Sequence, residues 1–211
     1  MKFFSQFQED EFIVKYCERY RINLHPVAIE IGASNGLDLS NIRHFCIEKG
    51  FKGIYIEPHP ERFKELLENT KGQNAVCINM ACLRESDVDK STLKVKFKLE
   101  NNPDFSHISS IDGTYVDATW WNLLKIRVQW IGILSIDVEG NDTSILEDVT
   151  HSGDRPQFII IESNATTERM KQVRILEQYG YVLHKMKDKN TLWMDGHLLT
   201  KDQDNAIYDV K

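Results

Sequence analysis

The feature that most constrains the fold is a series of short apolar runs, each closing on a glycine or an acid. Val27 to Ile31 ends at Gly32, Gly53 to Ile56 at Glu57, Ile131 to Val138 at Glu139, and Phe158 to Ile161 at Glu162. Runs this short and this continuous read as strands buried on both faces, as in a parallel sheet. Helical segments separate them: Asn41 to Lys49, stopped by Gly50; Glu61 to Asn69, after Pro58 and Pro60; Thr143 to Val149; and Thr167 to Tyr179. An amphipathic helix from Gln8 to Tyr20, with Phe12, Ile13 and Tyr16 on one face, precedes the first strand. Ala75 to Met80 reads as a third strand, and Tyr181 to His184 with Thr191 to Met194 as a closing antiparallel hairpin. Strand–helix alternation with right-handed crossovers gives an α/β fold with seven strands and helices on both faces. No repeat or linker divides the chain, so residues 1–211 are expected to form a single domain with an N-terminal helical segment over 1–24.

Residues 91–124 break the rhythm. Leu93 to Leu99 alternates strictly and reads as a half-exposed strand carrying Lys94, Lys96 and Lys98 on one face. Asn101 to Gly113 is polar and loop-like, and a loop of that length inside a compact domain is often functional. This insertion is expected to shape a pocket and close over it.

A net charge of −6 argues against a general nucleic-acid binder, which needs a basic surface to neutralise phosphates. No apolar run approaches the ~18–20 residues that span a bilayer. Gln8-Glu9-Asp10-Glu11 leaves no room for the apolar core of a signal peptide, so a cytoplasmic location is expected. Cys17, Cys46, Cys77 and Cys82 show no CxxC spacing, which points to reduced thiols rather than a zinc site or a disulfide framework. Three of them sit in apolar stretches and are expected in the core.

Four constellations carry chemistry. In Glu30-Ile31-Gly32-Ala33-Ser34-Asn35-Gly36, two glycines flank a tight turn after a buried strand, where the backbone bends and a ligand approaches closely. The spacing is GxxxG, not the GxGxxG of dinucleotide sites, which suits adenosylmethionine better than a nicotinamide. Glu57 stands 21 residues beyond Gly36 at the end of the second strand, where an acid commonly accepts hydrogen bonds from two ribose hydroxyls. Asp137 and Glu139 are two residues apart, so on a strand both would face one way. They are expected to orient an acceptor or take its proton, the competing reading being that Asp137 caps the next helix. Glu162, with Ser163 and Asn164, closes the neighbouring strand and should lie near Glu139. Such acids hold a shared proton or a divalent cation; the metal-free arrangement is the expectation. His59 and His107 lie in loops near the expected cleft, whereas Trp120, Trp121 and Trp130 are expected to pack the core or a lid.

Together these residues resemble the FkbM-type methyltransferase family over most of the chain. Ser5-Gln6-Phe7-Gln8-Glu9-Asp10 is similar to its SQxxED segment, Glu30 to Gly36 with Leu39-Ser40-Asn41 to its GAxxG…SN stretch, and Gly53 to Pro60 to its GxxIEPxP. Leu134 to Asp142 resembles its LSIDVEGxE, with Glu30 where Asp is commoner and Asp142 where Glu is usual. The resemblance implies a class I, Rossmann-like methyltransferase sheet with S-adenosylmethionine as methyl donor. It implies a hydroxyl of a small molecule, sugar or glycolipid as acceptor. The donor-binding set is then Gln6, Glu30, Gly32, Ala33, Asn35, Gly36, Ser40, Glu57, Pro58, Ala81 and Asp137, and the catalytic pair is Asp137 and Glu139. Two rival functions are a catalytically silent adenosylmethionine-binding module and a nicotinamide-dependent oxidoreductase, the latter disfavoured by the missing GxGxxG.

Overall fold

The computed structural model describes residues 2–100, 103, 106–109, 111–124 and 130–199. Helix α1 (Glu9–Tyr20) leads into β1 (Val27–Ile31), α2 (Arg43–Glu48), β2 (Lys52–Ile56), α3 (Pro60–Asn69) and β3 (Ala75–Ile78). After the insertion come β8 (Ile133–Ile136), α5 (Asp142–His151), β9 (Phe158–Glu162), α6 (Thr166–Gln178), β10 (Tyr181–Lys187) and β11 (Asn190–Asp195). The seven strands form one sheet in the order β10-β11-β9-β8-β1-β2-β3. Five pair in parallel, and β11 runs antiparallel to both β9 and β10. This is the Rossmann-like, mostly parallel sheet with a closing antiparallel hairpin that the sequence leads one to expect.

Period-two alternation splits the core between the faces. Ile29, Ile31, Ile54, Ile56, Leu134, Ile136, Ile159 and Ile161 point toward Ile145, Leu146 and Val149 of α5 and Leu176 of α6. Ala28, Tyr55, Ile133, Phe158 and Ile160 point the other way, toward α1, α2 and Leu66 of α3. Local chemistry fixes the start of α3. Pro60 opens α3, and the His59 ring caps it by accepting from Glu61 N and Arg62 N. His59 is thus a cap. Cys46 and Cys82 are buried, Cys17 and Cys77 partly so, and all four are free.

Several element boundaries differ from the sequence reading. The third strand stops at Ile78, and Ala81–Leu83 forms a separate strand, β4, that leaves the main sheet. It pairs in parallel with β7 (Thr114–Trp120), which pairs antiparallel with β5 (Lys94–Lys98); β5 in turn pairs with β6 (His107–Ile108). Three strands of the insertion, with β4 from just before it, therefore form a four-stranded sheet, β4-β7-β5-β6, and the short helix α4 (Trp121–Leu124) follows β7. Its strands enclose a small core of Ala81, Leu83, Val88 and Ala118. Within the expected loop Asn101 to Gly113, residues 101, 102, 104, 105 and 110 lie outside the described ones. Trp121 is fully buried and Trp130 is exposed against His25. No helix among the described residues is long and apolar enough to cross a membrane.

Candidate active site

A cavity of ≈ 440 Å³ opens at the carboxyl ends of β1, β2, β8 and β9. Strand order reverses beside β1, and α/β sheets bind ligands at such a switch point. The first wall is the turn after β1. Gly32 takes φ +83°, and a Cβ there would sit 1.6 Å from the carbonyl oxygen of Asp137. Gly32 N and Ala33 N both donate to Ile56 O, at 2.9 and 3.0 Å, tying the turn to the end of β2. Asn35 stiffens the Gly36–Asp38 stretch by accepting from Leu37 N and Asp38 N. Gly32, Ala33 and Asn35 line the cavity; Gly36 does not. At φ +65°, a Cβ on Gly36 would meet Leu66 Cδ1 at 2.3 Å, so this glycine lets α3 pack behind the turn.

Glu57 is buried in the cavity wall beside Pro58. Its carboxylate accepts from Ser34 N at 2.8 Å and from His59 N at 2.6 Å. It therefore joins the loop after β1 to the loop after β2. A carboxylate has about four lone-pair sites, more than these two amides fill. Glu30 accepts from Ser40 Oγ at 2.6 Å and Asn41 N at 2.7 Å, which folds the Ser40–Asn41 turn onto β1. Burial pushes its carboxyl up to about 7, opposed by those two hydrogen bonds and by Arg43. This explains why α2 begins only at Arg43: the expected first turn is bound to Glu30.

An N-terminal strap brings Gln6 and Phe7 to the cavity. Ser5 bridges Leu39, Phe7 N donates to Glu9 Oε2, and Phe7 O accepts from Lys185 Nζ. Ala81 enters from the start of β4. Phe97, Pro103, Ser106 and Ile108 line the cavity from the inserted segment.

The acidic end is assembled differently from the sequence expectation. β8 stops at Ile136, and Glu139 takes φ +53°, so strand alternation does not orient the Asp137–Glu139 pair. The turn does so instead. Asp137 N donates to Ile31 O, and Asp142 accepts from Val138 N and Gly140 N, folding the chain back over the strand end. Asp137 does not cap α5, whose N-cap position is Asn141 with no side-chain cap bond; Asp142 instead ties down the turn that precedes the helix. Parallel pairing of β8 with β9 then brings Glu162 alongside, so carboxylate oxygens of Asp137, Glu139 and Glu162 lie within 4.8 Å of one another. Asn164 Nδ2 donates to both Glu139 Oε2 and Glu162 Oε2, each at 3.2 Å.

Electrostatics reflect this crowding. Burial, then the charge of Glu162, pushes the Asp137 carboxyl well above the ordinary range, with Asp142 and Glu139 adding to it. Glu139 is pushed up by the same two causes and held down by Lys189, Asn164 and His107. Lys189, absent from the sequence reading, stands with its Nζ 3.4 Å from Glu162 Oε1. Its place becomes legible only once β11 is paired with β9, which folds the hairpin tip over the strand end. A divalent cation could be shared by three carboxylates this close, yet Lys189 and Asn164 already supply charge and N–H donors to the same oxygens.

Solved structures similar to this chain include precorrin-6y C5,15-methyltransferase from Geobacter metallireducens, at 13% identity and TM-score 0.46 over 87% of this chain and 84% of that one. A putative rRNA-methylase from Clostridium thermocellum matches at 9% identity and TM-score 0.48, over 92% and 95%. A TDP-rhamnose 3'-O-methyltransferase of calicheamicin biosynthesis matches at 12% and 0.46, over 90% and 81%. No curated protein matches the chain in sequence. Residues 30–183, well over half of the chain and including the cavity walls at the ends of β1, β2, β8 and β9, match the methyltransferase FkbM domain. The chain belongs to that family of S-adenosylmethionine-dependent methyltransferases.

Proposed function

We propose that this methyltransferase acts on a hydroxyl oxygen of a small molecule, sugar or glycolipid, with the acid cluster as proton acceptor. The observation that carries the reading is the convergence of Asp137, Glu139 and Glu162 in the same cavity as the Gly32 turn and Glu57. A hydroxyl must lose its proton as it gains a methyl group, and an acidic cluster with raised affinity for protons suits that task at neutral pH.

The residues at the ends of β1 and β2 fit the donor. A cavity of this size suits a nucleoside-bearing ligand, and the side-chain-free Gly32 permits close backbone approach. When bound, adenosylmethionine supplies an electrophilic methyl group on a sulfonium. Glu57 would hold the ribose hydroxyls, Gly32, Ala33 and Asn35 the amino-acid end, and Pro58 and Ala81 the base. Gln6, Glu30 and Ser40 complete the wall, and Gly36 supports it from behind. The chain would contribute position and proton transfer: it would hold the acceptor oxygen in line, and the hydroxyl proton would pass to Asp137 or Glu139 as the O–C bond forms and the methyl–sulfur bond breaks, with S-adenosylhomocysteine leaving.

The test is transfer of a ¹³C-labelled methyl group to a panel of free and glycosidic polyols, with the product position read by NMR. An O-methyl product is expected, formed equally after exhaustive chelation. Methyl found on nitrogen or carbon would overturn the oxygen assignment, and activity restored only by added Mg²⁺ would replace the metal-free cluster.

A further inference from the structure

We propose that Lys189 is a positioning residue of the reaction: its ammonium group orients Glu162 and sets the charge that the three-carboxylate cluster presents to the acceptor. The inference rests on the acid cluster being the acceptor end of the cavity.

Three observations carry it. First, Lys189 lines the cavity and pairs with Glu162 at 3.4 Å, from an element that otherwise has no part in the acid cluster. Second, its backbone is fixed independently of its charge. Lys189 O accepts from Ser163 N at 3.0 Å, the residue next to Glu162, and Asn190 Nδ2 donates to the buried Glu9. The preceding Asp188 takes φ +55°, and its carbonyl accepts from Arg169. The tip is therefore held in place, and the side chain alone supplies the cation. Third, the charges around the cluster are one-sided. Asp137 and Glu139 face it from the turn after β8, Asp142 from the start of α5 and Glu162 from β9; Lys189 and His107 provide the opposing influence.

Coulomb's law gives the consequence. A cation a few ångströms from a carboxylate favours its ionised form, so Lys189 keeps the cluster from binding protons too tightly to take one from an acceptor. The reciprocal effect is present: Glu162, Glu139 and Asp137 all push the Lys189 ammonium upward. Burial around Asp137 pulls the cluster toward protonation, and the hairpin lysine pulls it back.

The first measurement needs neither donor nor acceptor. Side-chain carboxyl carbons of ¹³C-labelled protein are titrated by NMR in the wild type, Lys189→Met, Lys189→Gln and Lys189→Arg. The carboxyls of Asp137 and Glu139 are expected to titrate about half a pH unit or more higher in the Met and Gln variants, and close to wild type in the Arg variant. Lys189 is half exposed, so the fold should survive, and amide spectra verify this. Unmoved carboxyl titrations in the folded Met and Gln variants would overturn the proposal. The second measurement is the pH profile of methyl transfer. Its acidic limb should move to higher pH in Lys189→Met by the amount the titration moved and return in Lys189→Arg. A shifted titration with an unshifted limb would overturn the positioning role. Transfer to an atom other than oxygen would instead sink the acceptor reading while leaving the titration result intact.

Discussion

Removing the Glu57 carboxylate perturbs two things that the structure joins at one side chain. The expected contact with two ribose hydroxyls is bidentate and charge-assisted, and its loss costs on the order of 2–3 kcal/mol of donor affinity. That is about a 30- to 150-fold rise in Kd. Glu57 also accepts from Ser34 N and His59 N, so Glu57→Ala strips both amides of their partner. Buried and unanswered, each would cost about 1–3 kcal/mol; beside an open cavity, water recovers part, leaving a stability loss of about 2 kcal/mol. Glu57→Gln separates the effects, since it keeps shape and one carbonyl oxygen. It should restore most of the stability and little of the affinity. Calorimetric titration with S-adenosylhomocysteine and urea unfolding of both variants provide the comparison. A folded Glu57→Ala protein that binds the donor product as tightly as wild type would refute the reasoning.

Gly32→Ala sets a Cβ against the backbone carbonyl of Asp137, an atom that cannot swing aside, at a left-handed φ. A loss of about 3 kcal/mol or more is expected in urea unfolding, and wild-type stability would contradict the close approach. Asp137→Asn should lower turnover by about 10²- to 10⁴-fold while calorimetry shows donor affinity within about threefold of wild type. Glu30 gives a pH signature. Its folded carboxyl is raised to about 7 from an ordinary 4.5, so the native state holds a proton that the unfolded chain releases. The stability this contributes is present below about 4.5 and is lost as pH rises toward 7. Glu30→Gln should flatten that decline in urea unfolding between pH 5 and 7, and an unchanged slope would dismiss the buried carboxyl as its source.

Period and spacing make the main sheet legible. Val27–Ile31 is bounded correctly because a fully buried strand leaves a continuous apolar run, and Phe158 opens onto Glu162 for the same reason. The split of Ala75 to Met80 is not legible, because nothing in Asn79-Met80 distinguishes a strand end from a strand interior. The strand leaves the sheet there because Asn79 Nδ2 donates to Glu57 O, a contact between segments distant in sequence. The acid cluster is legible for a partly mistaken reason. Alternation puts Asp137 and Glu139 on one face, but a turn held by Asp142 brings them together. Lys189 escapes a reading of the sequence because its role depends on strand order, which local sequence does not encode. Glu30 reads as a donor contact, whereas much of its hydrogen bonding goes to Ser40 and Asn41.

The β4-β7-β5-β6 sheet has its own core of Ala81, Leu83, Val88 and Ala118, with Phe97, Ser106 and Ile108 facing the cavity. A wall that carries its own apolar packing can change its inner surface without disturbing the strands that hold Gly32 and Glu57. The β1–β2 side is confined by left-handed backbone and buried carboxylates, constraints that the inner face of the inserted sheet does not share. Exchange of residues 91–124 for another segment would replace β5, β6 and β7 and leave β4, which carries Ala81, with the donor half. A chimera cut there would inherit its donor half unchanged.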